Sequence, residues 1–414
     1  MICRRGNRLS AHWLAARWLC CLLVIALVLV EQAHAGTPLH PMVPMFHKWQ
    51  MAAAPAVVDK VAGLGHKRVQ FCVTLQTRLK SGNQLESIGP FRDSKPPGGP
   101  NAYFSIDPEV SREVSGYLNA SFAKAVEHHM EISVLLHLNS HGDKQMWRND
   151  FDFDPLVPLA GVSYQDGFFK TVMEALESSL PSEHPVEISV QGEMGTTVFL
   201  YPDSWRKLIE TARSRGKLRK ARFGVSFNYQ GIAGKAEPAA INKDALKRLW
   251  DVCDFIGVSM YQAVSHPPVT HDFDLAVGLF AGEFYGLGCP LPVDKSLHFV
   301  EVGIGGGGQS PKDWQPDVPA ENPADAARAP YLGSSDIAKA NPWADASLRA
   351  LRVGYHKELC SYLANTRPRY PVKRAFLWSY GSWDPMGLEE SRFADPEIIR
   401  LIGSHNHRLE ASDP

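Results

Sequence analysis

Eight short runs rich in β-branched and aromatic residues recur along this 414-residue chain, each followed by a stretch with helical periodicity. They are residues 44–47, 69–73, 132–136, 188–190, 223–227, 255–259, 298–300 and 375–378. Strands that alternate with helices pair in parallel, because each crossover helix returns the chain to the same end of the sheet. Eight such units close a sheet on itself. The pattern therefore predicts an α/β fold, a single (β/α)8 TIM barrel with long βα loops. The helical stretches support it: Val110, Val114, Leu118, Phe122 and Val126 recur every four residues, and Leu348, Leu351, Tyr355, Leu359 and Leu363 every three or four. Asp203 or Ser204 fits as N-cap of the helix carrying Trp205, Leu208 and Ile209.

No repeat or linker divides this pattern. Two connections, residues 80–107 and 305–341, are long and rich in Pro, Gly and Ser. Both follow proposed strands, at the barrel end where βα loops build sites, so both are expected to wall or cover a cleft. The glycine run at 305–308 lacks the Lys-Ser/Thr ending of a phosphate loop and reads as a flexible loop.

The N-terminus carries Arg4, Arg5 and Arg8, an apolar run at 19–30 and then Ala33-His34-Ala35. That order reads as a secretory signal peptide over residues 1–35, cleaved after Ala35, with the barrel domain at 36–414. The apolar run is roughly 12 residues, short of the roughly 20 that cross a bilayer, and no other membrane-length run follows. A secreted or periplasmic location is expected. Lys and Arg number 43 against 44 Asp and Glu, a formal charge of −1. No field of that size draws in nucleic acid or an anionic membrane surface, so an uncharged partner fits best, and a monomer is expected. Cys72, Cys253, Cys289 and Cys360 follow the leader without CxxC or other metal-ligand spacing. Neither a metal nor an organic cofactor is implied. Disulfides and buried free thiols both remain open for these cysteines.

The chemistry is carried by two glutamates. Glu193 ends the run Val-Glu-Ile-Ser-Val-Gln-Gly-Glu193, and Glu301 ends Leu-His-Phe-Val-Glu301. On the fourth and seventh strands of a barrel both carboxylates would open into one cleft at the C-terminal face. Cleaving a glycosidic bond needs one carboxylic acid to protonate the leaving oxygen and one carboxylate to attack the sugar or activate water. A separation of about 5 to 5.5 Å marks retention of configuration, and about 6.5 to 9.5 Å inversion. Indole rings suit the apolar C–H faces of pyranoses, which makes Trp49, Trp147, Trp314 and Trp383 on loops candidate platforms. Trp49 and Trp147, close behind the first and third strands, are the better placed.

The order of a strand-four Glu, a strand-six Asp-Phe-Ile-Gly-Val-Ser-Met-Tyr261, a strand-seven Val-Glu301-Val-Gly and a strand-eight Phe-Leu-Trp378 resembles the large clan of retaining (β/α)8 glycoside hydrolases. The stretches Trp205-Arg-Lys-Leu-Ile, Ser226-Phe-Asn-Tyr-Gln-Gly and Trp250-Asp-Val-Cys-Asp-Phe-Ile-Gly are most similar to the endo-β-mannanase-like barrels. The resemblance implies that Glu193 is the acid/base and Glu301 the nucleophile. It also implies that Tyr261 donates a hydrogen bond to the nucleophile and that Trp378 floors the sugar at the scissile bond. Glu193 is expected to be held protonated and Glu301 ionised. The reaction implied is retaining cleavage of a β-linked polysaccharide or oligosaccharide such as β-mannan.

One position departs from the clan, which places Asn before the acid/base to bond the sugar 2-hydroxyl, whereas this chain has Gly192. Gln191, His137 or Asn228 would then have to supply that contact. The departure favours a rival from another class, a carbohydrate-binding barrel with weak or no turnover. A second rival is a transglycosylase of exopolysaccharide assembly.

Overall fold

The computed structural model describes residues 36–89, 91–94, 101–104, 106–141, 146–308, 318–334, 341–365 and 370–411; the segment 1–35 expected to be a leader and Trp314 lie outside the described residues. The barrel strands are β1 (Leu39–Met45), β2 (Arg68–Ser81), β3 (Glu131–Ser140), β4 (Val186–Gly192), β5 (Ala221–Asn228), β6 (Phe255–Met260), β7 (Ser296–Val302) and β8 (Val372–Leu377). Each pairs in parallel with the next, and β1 pairs in parallel with both β2 and β8. The sheet is thereby closed. Among the described residues one long helix follows each strand, α1 (Lys48–Gly63), α2 (Pro108–Glu127), α3 (Lys170–Ser179), α4 (Pro202–Ser214), α5 (Lys243–Val252), α6 (Thr270–Gly286), α7 (Ala346–Leu363) and α8 (Pro396–Glu410), with short extra helices at Gly195–Leu200 and Pro323–Arg328. The fold is the (β/α)8 barrel that the alternation predicts.

Period-two alternation sorts the strand residues into two layers. Val69, Phe71 and Val73 of β2, Ile132, Val134 and Leu136 of β3, and Phe223, Val225 and Phe227 of β5 face outward. They are buried in one large cluster with the helix stripes, including Leu118 and Phe122 of α2 and Trp205 and Leu208 of α4. The alternate positions face the barrel axis and are largely polar. Near the N-terminal mouth Glu187 accepts hydrogen bonds from Arg68 at 3.2 Å, Arg222 at 3.1 Å and Arg374 at 2.9 Å, while His298 stacks on Phe255 at 4.1 Å. Burial alone would raise the Glu187 carboxyl, but His298 and the three guanidiniums hold it below its usual range. Further along the axis, Met42, Phe46, Cys72, Leu135 and Val300 form a small separate apolar cluster. The N-terminal mouth is thus plugged, and chemistry is left to the opposite end.

The structure differs from the sequence reading at several boundaries. The first strand spans Leu39–Met45, which leaves Phe46 and His47 beyond its end. Pro41 and Pro44 masked it, since each removes a ladder N–H from what is still a paired strand. β2 overshoots the barrel to Ser81 and folds back against Gln84–Ile88, and a second antiparallel pair joins Phe91–Ser94 to Asn101–Phe104. The 80–107 connection therefore holds strands of its own. α4 is entered from Tyr201 with Pro202 in its first turn, so neither Asp203 nor Ser204 is its cap. Instead Ser204 bonds Asp154, and Asp203 takes Arg248 and Arg206. The glycines at 305–308 are not a flexible loop: Gly305 N donates to Pro330 O at 2.9 Å, Gly307 N to Leu332 O at 3.0 Å and Gly308 N to Val318 O at 2.8 Å. A Cβ on Gly305 would stand 2.2 Å from Leu332 O, which is why the position has none. All four cysteines are buried and free.

Candidate active site

β4 ends one residue before Glu193, whose backbone is left-handed at φ 57°. That region costs a non-glycine residue on the order of 1–3 kcal/mol and persists only where the surroundings enforce it. Three hydrogen bonds do so. Glu193 N donates to Ser226 O on β5 at 3.0 Å. Gln191 donates to the same carbonyl at 2.9 Å and accepts from Met194 N at 2.8 Å. Gln191 is fully buried with its amide clamped on both sides of the Glu193 turn, so it shapes that turn instead of reaching a sugar.

The turn aims the Glu193 carboxylate at Arg148, whose Nη1 donates to Oε2 at 2.5 Å, and Trp147 Nε1 lies 3.4 Å from the same oxygen. Arg148 is itself fixed at the end of β3, donating from Nε to Leu138 O at 3.2 Å and from Nη2 to Asn139 Oδ1 at 2.7 Å. Sequence reasoning missed Arg148. The available signal was its place beside Trp147 in the loop after the third strand, within reach of a carboxylate that needs a partner.

Glu301 reaches the axis through an irregularity in β7: Phe299 pairs with Val258 of β6, and Glu301 already with Ser259. Tyr261 donates to its Oε2 at 3.1 Å. His137 Nε2 lies 3.1 Å from Oε1, but off the line a hydrogen bond needs, and both atoms are buried without a hydrogen-bond partner among the described residues. Burial pushes the Glu301 carboxyl up to about 7, against the opposing pull of Arg148, the hydrogen bond of Tyr261 and the nearby Ser259 hydroxyl. The Tyr261 bond expected to favour an ionised Glu301 is present, but burial outweighs it and leaves the carboxyl close to half ionised at neutral pH.

His137 is fully enclosed, with Nδ1 3.4 Å from Cys72 Sγ and its ring 6.2 Å from that of Trp378. Burial, reinforced by Arg148, holds it well below its usual pKa, so the ring is neutral. It also accounts for the glycine before Glu193. A Cβ on Gly192 would lie 2.4 Å from both Cδ2 and Nε2 of His137 and 2.8 Å from Leu135 Cδ1. The imidazole fills the space that a side chain at 192 would occupy.

The two glutamates share one electrostatic neighbourhood. The Tyr261 hydroxyl and the Cys72 thiol are each pushed up first by burial and then by the charges of both Glu301 and Glu193. Arg148 pairs with Glu193 and pulls on Glu301. Both carboxylates are nearly closed off, at 5% and 3% exposed. Around them Trp378 stacks on Phe46 at 5.4 Å, and Trp147 stands 44% exposed. Trp49 lies in the first turn of α1, stacked on His47 at 6.0 Å, and Asn228 turns its amide back onto Gln230 O at 2.7 Å. No hydrogen bond among the described residues joins Trp49 or Asn228 to either glutamate. Trp383 is no open platform: it is buried and donates to Pro330 O at 2.9 Å.

No family model matches the chain, and no curated relative matches it. Solved structures do. A GH113 β-1,4-mannanase in complex superposes with a TM-score of 0.51 at 13% identity, covering 91% of this chain and 99% of that one. The GH113 β-mannanase from Alicyclobacillus acidocaldarius, in complex with ManMIm, gives 0.50 at 14% identity, covering 89% and 97%. This chain has the fold of the β-mannanase barrels.

On that fold the C-terminal mouth holds one carboxylate paired to a guanidinium, one carboxyl lifted by burial to about 7, a neutral imidazole and exposed indole. Such a set can donate and accept a proton at two points a short way apart, and it offers flat apolar surface beside them. Among the described residues no group of three or more His, Cys, Asp or Glu is placed to hold a metal, and no helix is long and apolar enough to cross a membrane.

Proposed function

We propose that this chain is an exported glycoside hydrolase, secreted or periplasmic and monomeric, which cleaves a β-linked polysaccharide or oligosaccharide such as β-mannan with retention. Glu301 attacks the anomeric carbon as the C–O bond to the leaving group breaks, and Glu193 gives its proton to the departing oxygen. Glu193 then takes a proton from water, whose oxygen displaces Glu301 from the sugar. Tyr261 holds the nucleophile, Trp378 lies under the reacting sugar, and Trp147 and Trp49 carry neighbouring rings. The observation that carries this reading is that two buried glutamates from β4 and β7 act on the same Tyr261 and the same Arg148. The shared barrel with two mannanases supports it at the level of fold.

The test is release of reducing ends from β-mannan, β-glucan and related polymers by the mature protein, beside Glu193→Gln and Glu301→Gln. Release by the parent, lost in both variants, supports hydrolysis, and products longer than the substrate would redirect the reading to transglycosylation. Binding without release in all three would support the second reading, a carbohydrate-binding barrel. One feature favours that alternative. Arg148 holds Glu193 Oε2 at 2.5 Å and burial lifts the Glu301 carboxyl to about 7, so neither carboxyl stands ready in the role that the first step gives it.

A further inference from the structure

A retaining acid has to turn to the leaving oxygen, yet Glu193 Oε2 is gripped by Arg148 at 2.5 Å. A neutral sugar offers Arg148 hydroxyl acceptors but no charge in exchange for that carboxylate. Arg148 is nonetheless built to hold a second anion. Its Nε and one N–H of Nη2 are fixed to Leu138 O and Asn139 Oδ1, so the guanidinium is pinned to the end of β3 whatever Glu193 does. One further N–H on each of Nη1 and Nη2 has no partner among the described residues, and the side chain is 18% exposed, beside the open indole of Trp147. A planar fork with free donors, next to a sugar-stacking surface, matches the geometry of a carboxylate or sulfate.

We infer that Arg148 is an anion subsite and that the substrate is an acidic β-linked glycan, whose charged group takes Arg148 over from Glu193. The inference rests on the hydrolase reading above and narrows its substrate class. Exchange of one anion for another on the fork leaves the local charge balanced and frees Glu193 to turn to the leaving oxygen. The acidic substituent thereby helps to arm the acid. Specificity follows from the same contact, because a neutral glycan leaves Glu193 paired.

The experiment compares equal-length oligosaccharides of β-1,4-mannan, β-1,4-mannuronate and O-sulfated β-1,4-mannan, by hydrolysis and by calorimetric binding, on the mature protein and on Arg148→Met, Arg148→Lys and Glu193→Gln. The expected result is a kcat/KM at least tenfold higher for one of the acidic glycans, the preferred one identifying the charged group as C6 carboxylate or sulfate. Glu193→Gln abolishes turnover yet binds that glycan at least tenfold more tightly than the parent, since its competitor on Arg148 is gone. Neutral mannan shows no such gain. Arg148→Met loses the acidic preference in binding, and Arg148→Lys, which keeps the charge without the fork, retains part of it and guards against a folding defect. Equal handling of all three glycans, with no tightening in Glu193→Gln, overturns the subsite and leaves hydrolysis standing. Binding of acidic glycan that needs Arg148, with no glycan cut by any protein, supports the subsite and removes the hydrolase reading alone.

Discussion

Replacing Glu301 by Gln should make the protein more stable at alkaline pH while removing its chemistry. In the folded protein burial lifts the Glu301 carboxyl from 4.5 to about 7. At 1.36 kcal/mol per unit, that corresponds to about 3 kcal/mol of differential interaction between its two protonation states. The sign follows from proton counting. Between pH 4.5 and 7 the folded chain holds a proton here that the unfolded chain has released, so stability falls as pH rises through that window. Below it the group is protonated in both states and contributes no slope; above it the full cost of burying the anion is present. Glu389, also lifted by burial to about 7, adds a slope of the same sense to the parent. Only the difference between parent and variant isolates Glu301. Gln has nearly the same shape and never ionises. Urea unfolding at pH 4.5, 6 and 8 should therefore show the variant gaining on the parent by about 3 kcal/mol across the series, whatever constant offset the altered bond to Tyr261 adds. Parallel stability curves from pH 4.5 to 8 would mean that Glu301 is already ionised in the folded state, and would refute the charge assignment.

Gly192→Asn should lose about 1–3 kcal/mol by overpacking against His137, and most of that loss should vanish in the His137→Ala background; melting of the four proteins of the cycle reads the coupling, and additive losses would sink the steric account. Glu187→Ala leaves Arg68, Arg222 and Arg374 facing one another and should cost about 3–5 kcal/mol in urea unfolding; a loss under about 1 kcal/mol would show that the cluster relaxes without its carboxylate. Cys72, Cys253, Cys289 and Cys360 should react with a thiol reagent only in denaturant and migrate identically with and without reductant; fast labelling of the native protein at any of them would contradict their burial.

The barrel could be read from the sequence because its two periodicities are written in different residues. Val69, Phe71 and Val73 alternate with Gln70 and Cys72, and the stripe from Val114 to Phe122 repeats at helical spacing, so each segment announces both its type and its buried face. Where the reading slipped, a local signal had been overruled by tertiary pairing. Pro41 and Pro44 argue against a strand, yet β1 is paired on both sides. The glycines at 305–308 argue for looseness, but their lack of side chains lets Trp383 and Leu332 pack against the backbone. At the site, strand ends gave Glu193, Glu301 and Tyr261, because a barrel's topology brings such positions together. Arg148 was legible only as a cation beside Trp147, without its partner, and the Gly192–His137 exchange was not legible at all. Each depends on which side chain occupies a volume shared by two strands, and a sequence does not carry that.

Glu187 and Glu301 bring the chemistry of the barrel down to one comparison. Both are inward-facing, nearly inaccessible carboxylates of a single closed sheet, and burial raises each of them. Glu187 lies where three arginines and a histidine outweigh that cost, and its carboxyl ends below its usual range. Glu301 lies where the one guanidinium acting on it is also gripped by Glu193, and its carboxyl ends near neutrality, able to change charge at physiological pH. A carboxylate saturated with cations holds strands together, and one left short of them can trade protons or electrons with a ligand. The shortage at the C-terminal mouth is arranged by the same arginine that any acidic substrate would have to win. Loading that arginine with an anion should therefore alter the proton balance of both glutamates at once, which ties recognition and catalysis to a single side chain.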